Sequence, residues 1–239
     1  MEENMGPILL LLSESEELMC SEKFISSSPI LSDMVHYSTE NSDPIRVPEF
    51  ISKNSMLHVM KLVEIPCVNA KDIQNYSTEF LIELFSIADF FLIETVVKKF
   101  QVSLLSRITP STCYNIYNLT LNRLFLYTVC VKAKNEIIEE LEKQFGTKMF
   151  PAVIVDQSDE NYSELCFESV KEIIIGSDKM STVTKISFFK SWWNKNANSS
   201  LKDEVLILLE DINAKAIYIP KQQILYMRKI RDNIMQELL

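Results

Sequence analysis

The side chains best suited to catalysis or metal binding are few and scattered. There are two histidines, His36 and His58, and five cysteines, Cys20, Cys67, Cys113, Cys130 and Cys166. A zinc site needs ligands in close pairs such as C-x2-C, and none occurs here. His58 sits between Leu57 and Met60 in an amphipathic stretch and reads as an ordinary half-buried side chain. His36 falls near a predicted helix end, where a cation favours the local dipole. A thiol nucleophile needs a base and an orienting group beside it. The sequence supplies neither near Cys113 or Cys130, so both read as packed thiols in helices. Glu139-Glu140 reads as the solvated face of a helix, and Asp159-Glu160 as part of a loop. With only three glycines, Gly6, Gly146 and Gly176, no phosphate-cradling loop can be assembled, and a propeller array is disfavoured. The expectation is no catalytic residue, no cofactor, no metal and no enzymatic activity.

Bulk properties narrow the class further. The 239 residues are 47% hydrophobic and 24% charged, enough for one large packed domain or two modest ones. The formal net charge of -9 opposes a phosphate backbone, so no nucleic-acid partner is expected. Lys185, Lys190, Lys195 and Lys202 read as a solvated helix face, because no stacking aromatics interleave with them. The apolar run Ile8 to Leu12 follows acids rather than Lys or Arg and reads as a buried strand, not a signal core. No apolar stretch approaches the roughly 20 residues of a membrane span. Widely spaced cysteines, odd in number, point to reduced thiols, hence the cytoplasm or nucleus and no membrane. The sequons at Asn75, Asn118, Asn161 and Asn198 read as incidental.

The elements that must position any binding residues follow from periodicity. Residues 8–12 and 17–20 predict two strands around the polar turn Ser13 to Glu16. Residues 21–26 predict a short helix. A second helix begins at Ser28-Pro29, with Ile30, Leu31 and Met34 as its stripe and a loop from Ser38 to Asp43 after it. Ile45-Arg46-Val47 predicts a third strand, stopped by Pro48, and 52–64 a helix. After a linker from Asn69 to Asn75, Ser77 caps a helix carrying Phe80, Leu81, Leu84, Phe85 and Ala88. Leu92, Val96, Phe100 and Leu104 form the next stripe. From Thr109-Pro110 on the chain reads as helical: 110–120, then a long helix with Leu124, Tyr127, Val131, Ile138, Leu141 and Phe145 inward and Gly146 as a left-handed cap. An exposed loop with Pro151 and Asp156 to Glu160 follows, then helices at 164–175, 181–196, 200–210 and 220–238. Trp193 continues the inward stripe Val183, Ile186, Phe189. Trp192 shares a face with Phe188 and reads as a partly exposed aromatic at an interface. The fold class is therefore α+β, mostly helical: a mixed module at 1–108 and an all-α module at 109–239.

Several of these stretches resemble known motifs. Glu83-Leu84-Phe85-Ser86-Ile87-Ala88-Asp89-Phe90-Phe91-Leu92 resembles the late helix pair of BTB/POZ domains, with its Leu-x-x-Ala-Asp-aromatic pattern. Ser28-Pro29-Ile30-Leu31-Ser32-Asp33-Met34 is similar to that family's Ser-Pro helix, and Arg46-Val47-Pro48 through Met60 to the strand and helix that follow. The second half resembles a BACK domain, in Ser111-Thr112-Cys113-Tyr114-Asn115-Ile116, in Phe188 to Trp193, and in Leu208 to Ile212 with Ile219-Pro220. The resemblance implies a BTB/POZ-like three-layer unit of small sheet plus helices, then a BACK-like helical unit. The chain departs from the BTB pattern in its short lead before the first strand, which argues against a swapped homodimer. It also lacks the usual His before the Ser-Pro helix, where Met19-Cys20 stands. The apolar-x-Glu element of cullin adaptors has only a loose counterpart in Tyr37 to Glu40.

On this resemblance the expected function is a non-catalytic protein–protein adaptor, with substrate adaptor of a cullin-RING ubiquitin ligase as the leading case. Two alternatives stand beside it. One is an adaptor subunit of the Skp or elongin C type. The other is an interfering BTB–BACK protein with no substrate-recognition domain, since the chain ends at Leu239. The partner-binding residues implied are Met34, Tyr37, Glu40, Phe85, Phe90 and Trp192.

Overall fold

The structure is a computed structural model. It describes residues 8–11, 16–41, 45–49, 51–65, 73–146 and 160–214, with Leu225, Arg228, Lys229, 231–234 and Gln236 beyond them. The chain packs as two compact units, Met1–Arg107 and Ile108–Leu239. The fold is α+β and mostly helical.

The first unit is built on a small mixed sheet. Strands β1 (Ile8–Leu11) and β2 (Glu17–Cys20) pair antiparallel, Leu10 opposite Leu18, and β3 (Ile45–Arg46) joins β1 in parallel. The strand order is β2-β1-β3, and the amide of Val47 extends the ladder to the Leu11 carbonyl at 3.0 Å. Alternation sorts the side chains by face. Leu10, Leu18 and Cys20 are buried, whereas Leu9 and Met19, paired across the strands, stay exposed.

Helix α1 (Glu22–Ser26) starts at the Ser21 cap, whose hydroxyl accepts from the Phe24 amide. Helix α2 runs from Pro29 to Asn41. It absorbs most of the segment from Ser38 that the sequence reads as loop; 42–43 lie outside the described residues. Helix α3 (Lys53–Glu64) is capped by Ser52 and α4 (Thr78–Phe90) by Ser77. Helix α5 (Glu94–Ser106) buries Val96, Phe100 and Leu104. Leu92, expected on that stripe, is half exposed in the turn before the helix. Helix α3 packs on β2, α1 and α4, and α4 packs along α5. The Arg107 guanidinium donates to the carbonyls of Ile73, Gln74 and Tyr76, closing the turn that leads into α4.

Every regular element among the second unit's described residues is helical. It comprises α6 (Cys113–Thr120), α7 (Tyr127–Leu141), α8 (Phe167–Ile175), α9 (Thr182–Asn196) and α10 (Lys202–Ala214). Helix α6 packs along α7, and α8 and α9 each meet α10. Two readings of α7 are corrected. The buried residues are Leu126, Val129, Ala133, Ile137, Ile138 and Leu141, while Leu124, Tyr127 and Val131 face out. Apolar side chains occupy both faces of this stretch, so periodicity alone selects the wrong one. Gly146 does not adopt a left-handed cap. The helix ends instead in a wider π-type turn, Glu142–Gly146, whose Glu142 carboxylate accepts from the Ser181 amide at the start of α9. Cys67, the loop at 147–159, Ile219-Pro220 and most of the predicted 220–238 helix lie outside the described residues.

Candidate functional site

One apolar stripe of the first unit reaches the surface along α2. Pro29 opens the helix at a position where its missing N–H costs nothing. Ser28, fully buried, accepts from the Leu31 amide at 3.1 Å and donates to the Phe91 carbonyl at 2.5 Å. One hydroxyl thus ties the start of α2 to the end of α4. Leu31 and Val35 point into the core. Ile30, Met34 and Tyr37 form a neighbouring stripe at helical spacing, about 100° round the helix from Leu31 and Val35. Ile30 and Met34 are half buried, and Tyr37 is 63% exposed. Glu40 stands on the last turn of α2, and its side chain lies outside the described residues.

Helix α4 divides the two aromatics assigned to it. Phe85 is only 2% exposed. It belongs to the broad buried face of α4 with Leu81, Leu84 and Ala88, so its assignment as a partner contact is corrected. Phe90 is 40% exposed and meets Phe91 edge-on with ring centroids 5.0 Å apart. It sits beside the Ser28 joint, while Tyr37 stands two turns along α2. The chain reverses after α4 through Leu92, at φ 54°. The Ile93 amide donates to the Ala88 carbonyl and the Leu92 amide to that of Asp89, the paired bonds of a Schellman cap. Leu92 therefore fills a position that usually takes glycine.

In the second unit Trp192 is buried at 2% exposure, which corrects its reading as an interface aromatic. Its indole N–H donates to the Leu165 carbonyl at 2.9 Å, and its ring packs against Phe167, Phe189 and Trp193. Helix α9 is covered broadly enough to bury adjacent tryptophans. Lys185, expected on a solvated face, is also buried there. Lys190 is half buried. Lys195 is exposed and lies 5.7 Å above the Tyr162 ring, and the Lys202 side chain lies outside the described residues.

No protein-family model matches the chain, and no curated protein matches it.

The buried thiols occupy unreactive surroundings. Burial pushes the Cys20 and Cys113 thiols up to about 12, with Glu64 and Glu136 respectively adding repulsion. Burial also raises Cys130. Cys113 donates weakly to the Pro110 carbonyl at 3.4 Å, within its own helix start. Cys166 is exposed ahead of α8. His58 meets the Tyr76 hydroxyl at 3.1 Å and the rings of Tyr76 and Phe80 edge-on, a packed aromatic corner. Asn118 spends its amide on structure, donating to the Glu164 carbonyl and accepting from the Ser169 hydroxyl. Among the described residues no three His, Cys, Asp or Glu side chains gather in a way that holds a metal ion. No helix among them is long and apolar enough to cross a membrane.

Of the six assigned residues, Met34, Tyr37 and Phe90 are accessible, and Phe85 and Trp192 are not. Ile30 completes the α2 stripe and is legible as part of that helix's apolar pattern. The outward-facing Leu124, Tyr127 and Val131 escape sequence reasoning as surface residues.

Proposed function

We propose that this protein is a non-catalytic protein–protein adaptor, a BTB/POZ-like interaction domain followed by a BACK-like helical domain, and that it engages a cullin scaffold of a ubiquitin ligase. It works in the cytoplasm or nucleus, where its thiols stay reduced. One observation carries the reading. The Ser-Pro segment and the Ala-Asp-Phe-Phe segment, far apart in sequence, are joined directly by the Ser28 hydroxyl on the Phe91 carbonyl. The two stretches on which the resemblance rests therefore act as one structural joint. Among the side chains they leave accessible are the apolar Met34 and Phe90 and the aromatic Tyr37, beside the polar Ser32, Asp33 and His36. Apolar anchors of this kind suit a docking surface better than a reaction centre.

The test is a pull-down of purified cullin scaffolds on the immobilised chain. Retention of at least one scaffold, lost in Tyr37→Glu at unchanged far-UV circular dichroism, supports the proposal. A folded sample that retains none removes the cullin partner.

A further inference from the structure

The first unit's sheet buries one face and leaves the other open. Pleating sends Leu10, Leu18 and Ile45 to one side, where all three are buried. It sends Leu9, Leu11, Glu17, Met19 and Arg46 to the other. There Leu9 is 40% exposed and Met19 52%. Leu11 is half buried, and Glu17 and Arg46 are exposed.

The register sets these five side chains in two rows. Glu17, Leu11 and Arg46 lie side by side across β2, β1 and β3, and Met19 lies beside Leu9 in the next row. The face is thus an apolar centre with an anion on one flank and a cation on the other. Glu17 and Arg46 are the only charged residues in the three strands. Glu16, just ahead of β2, adds negative charge on the Glu17 flank. Neither Glu17 nor Arg46 has an ion pair or side-chain hydrogen bond among the described residues. They stand two strand spacings apart, about 10 Å, with Leu11 between them.

That pattern selects a second copy of this chain. A half-turn about an axis along β1, midway between two such faces, exchanges the outer strands, so β2 of one copy covers β3 of the other. Glu17 then meets the Arg46 of the second copy and Arg46 meets its Glu17, while Leu9 and Leu11 pack on their counterparts. One symmetry operation makes both pairs, as an isologous interface requires. A half-turn across the strands instead sets each charge against its like. A uniformly acidic or basic partner matches one flank and is repelled by the other.

We propose that Leu9, Leu11 and Met19, between Glu17 and Arg46, form the contact through which two copies of this chain pair sheet on sheet. The pairing exchanges no strand, so the short lead before β1 does not oppose it. The face spans three strands of two to four residues. That is less than the roughly 800 Å² per partner of a standard interface, so the dimer is weak and reversible. It makes the chain bivalent for whatever its other faces bind, and it does not depend on the cullin reading.

The experiment is sedimentation equilibrium of the full chain across a concentration series. The wild type should show a concentration-dependent dimer. Glu17→Arg alone and Arg46→Glu alone should each weaken it at least fivefold. An equimolar mixture of these two variants should regain the wild-type dimer, because each presents the charges that the other lacks. Leu9→Ser with Met19→Ser should abolish pairing. All four positions are exposed, so far-UV circular dichroism should not change. A wild type that stays monomeric up to about 1 mM overturns the proposal. So does a dimer that ignores both charge variants, or a mixture that pairs no better than its components.

Discussion

Ser28 uses one hydroxyl twice, as the cap of α2 and as the link to the Phe91 carbonyl. Replacing it with alanine leaves a buried carbonyl and an amide without this partner. Ser28→Ala should therefore cost about 1–3 kcal/mol, read as a lower urea midpoint at unchanged m-value. Leu92 offers the opposite case. A left-handed conformation costs an L-residue about 1–2 kcal/mol, and glycine's extra freedom in the unfolded chain costs about 0.5–1 kcal/mol. Relief of strain outweighs that entropic cost, so Leu92→Gly should raise the thermal midpoint by a few degrees. The thiols make a third prediction. Cys20 and Cys113 are held protonated far above the ordinary thiol value, so in the native protein at pH 8 they should resist alkylation while exposed Cys166 reacts. Their folded values lie above their unfolded ones. The folded state thus holds more protons once pH exceeds the ordinary thiol value of about 8.5. Stability should fall as pH climbs from there toward about 12, and should be insensitive to these groups below that range.

At the scale of elements, the strands and capped helices are legible in the sequence because local chemistry and pattern agree. Ser21, Ser52, Ser77 and Ser181 each accept an amide where a helix begins. The strands at Ile8–Leu11 and Glu17–Cys20 are legible as apolar runs around a polar turn, but which sheet face is buried is not, because Leu9, Leu10, Leu18, Met19 and Cys20 are all apolar. Reading fails where a helix is apolar on more than one side. In α7 the sequence favours Leu124, Tyr127 and Val131, yet Leu126, Val129 and Ala133 are the buried set, because packing against α6 decides the face. In α9, Phe188, Phe189, Trp192 and Trp193 are all buried, so no face is left for an interface tryptophan. The sequence contains no signal for the Leu165 carbonyl that receives the Trp192 indole, since that bond joins distant segments. Trp192→Phe keeps most of the ring contacts but orphans that carbonyl. It should destabilise the protein by about 1–2 kcal/mol, with little change in partner binding.

At the scale of the molecule, a helix-rich chain in two compact units keeps His58 and most of its described thiols in packing roles and leaves apolar helix faces outside. The candidate site is half legible in the sequence. Met34 and Tyr37 follow from the stripe of the Ser-Pro helix, whereas the burial of Phe85 depends on α3 and α5 covering α4 from two sides. Function on this account resides in what those faces bind. The most direct measurement is a titration of purified cullin scaffold against the wild-type chain and against Met34→Asp with Tyr37→Glu. The account predicts a saturable complex for the wild type and at least a tenfold loss of affinity for the variant, with both proteins melting at the same temperature. A wild-type chain that is folded and binds no scaffold, or a variant that binds as well as the wild type, contradicts it.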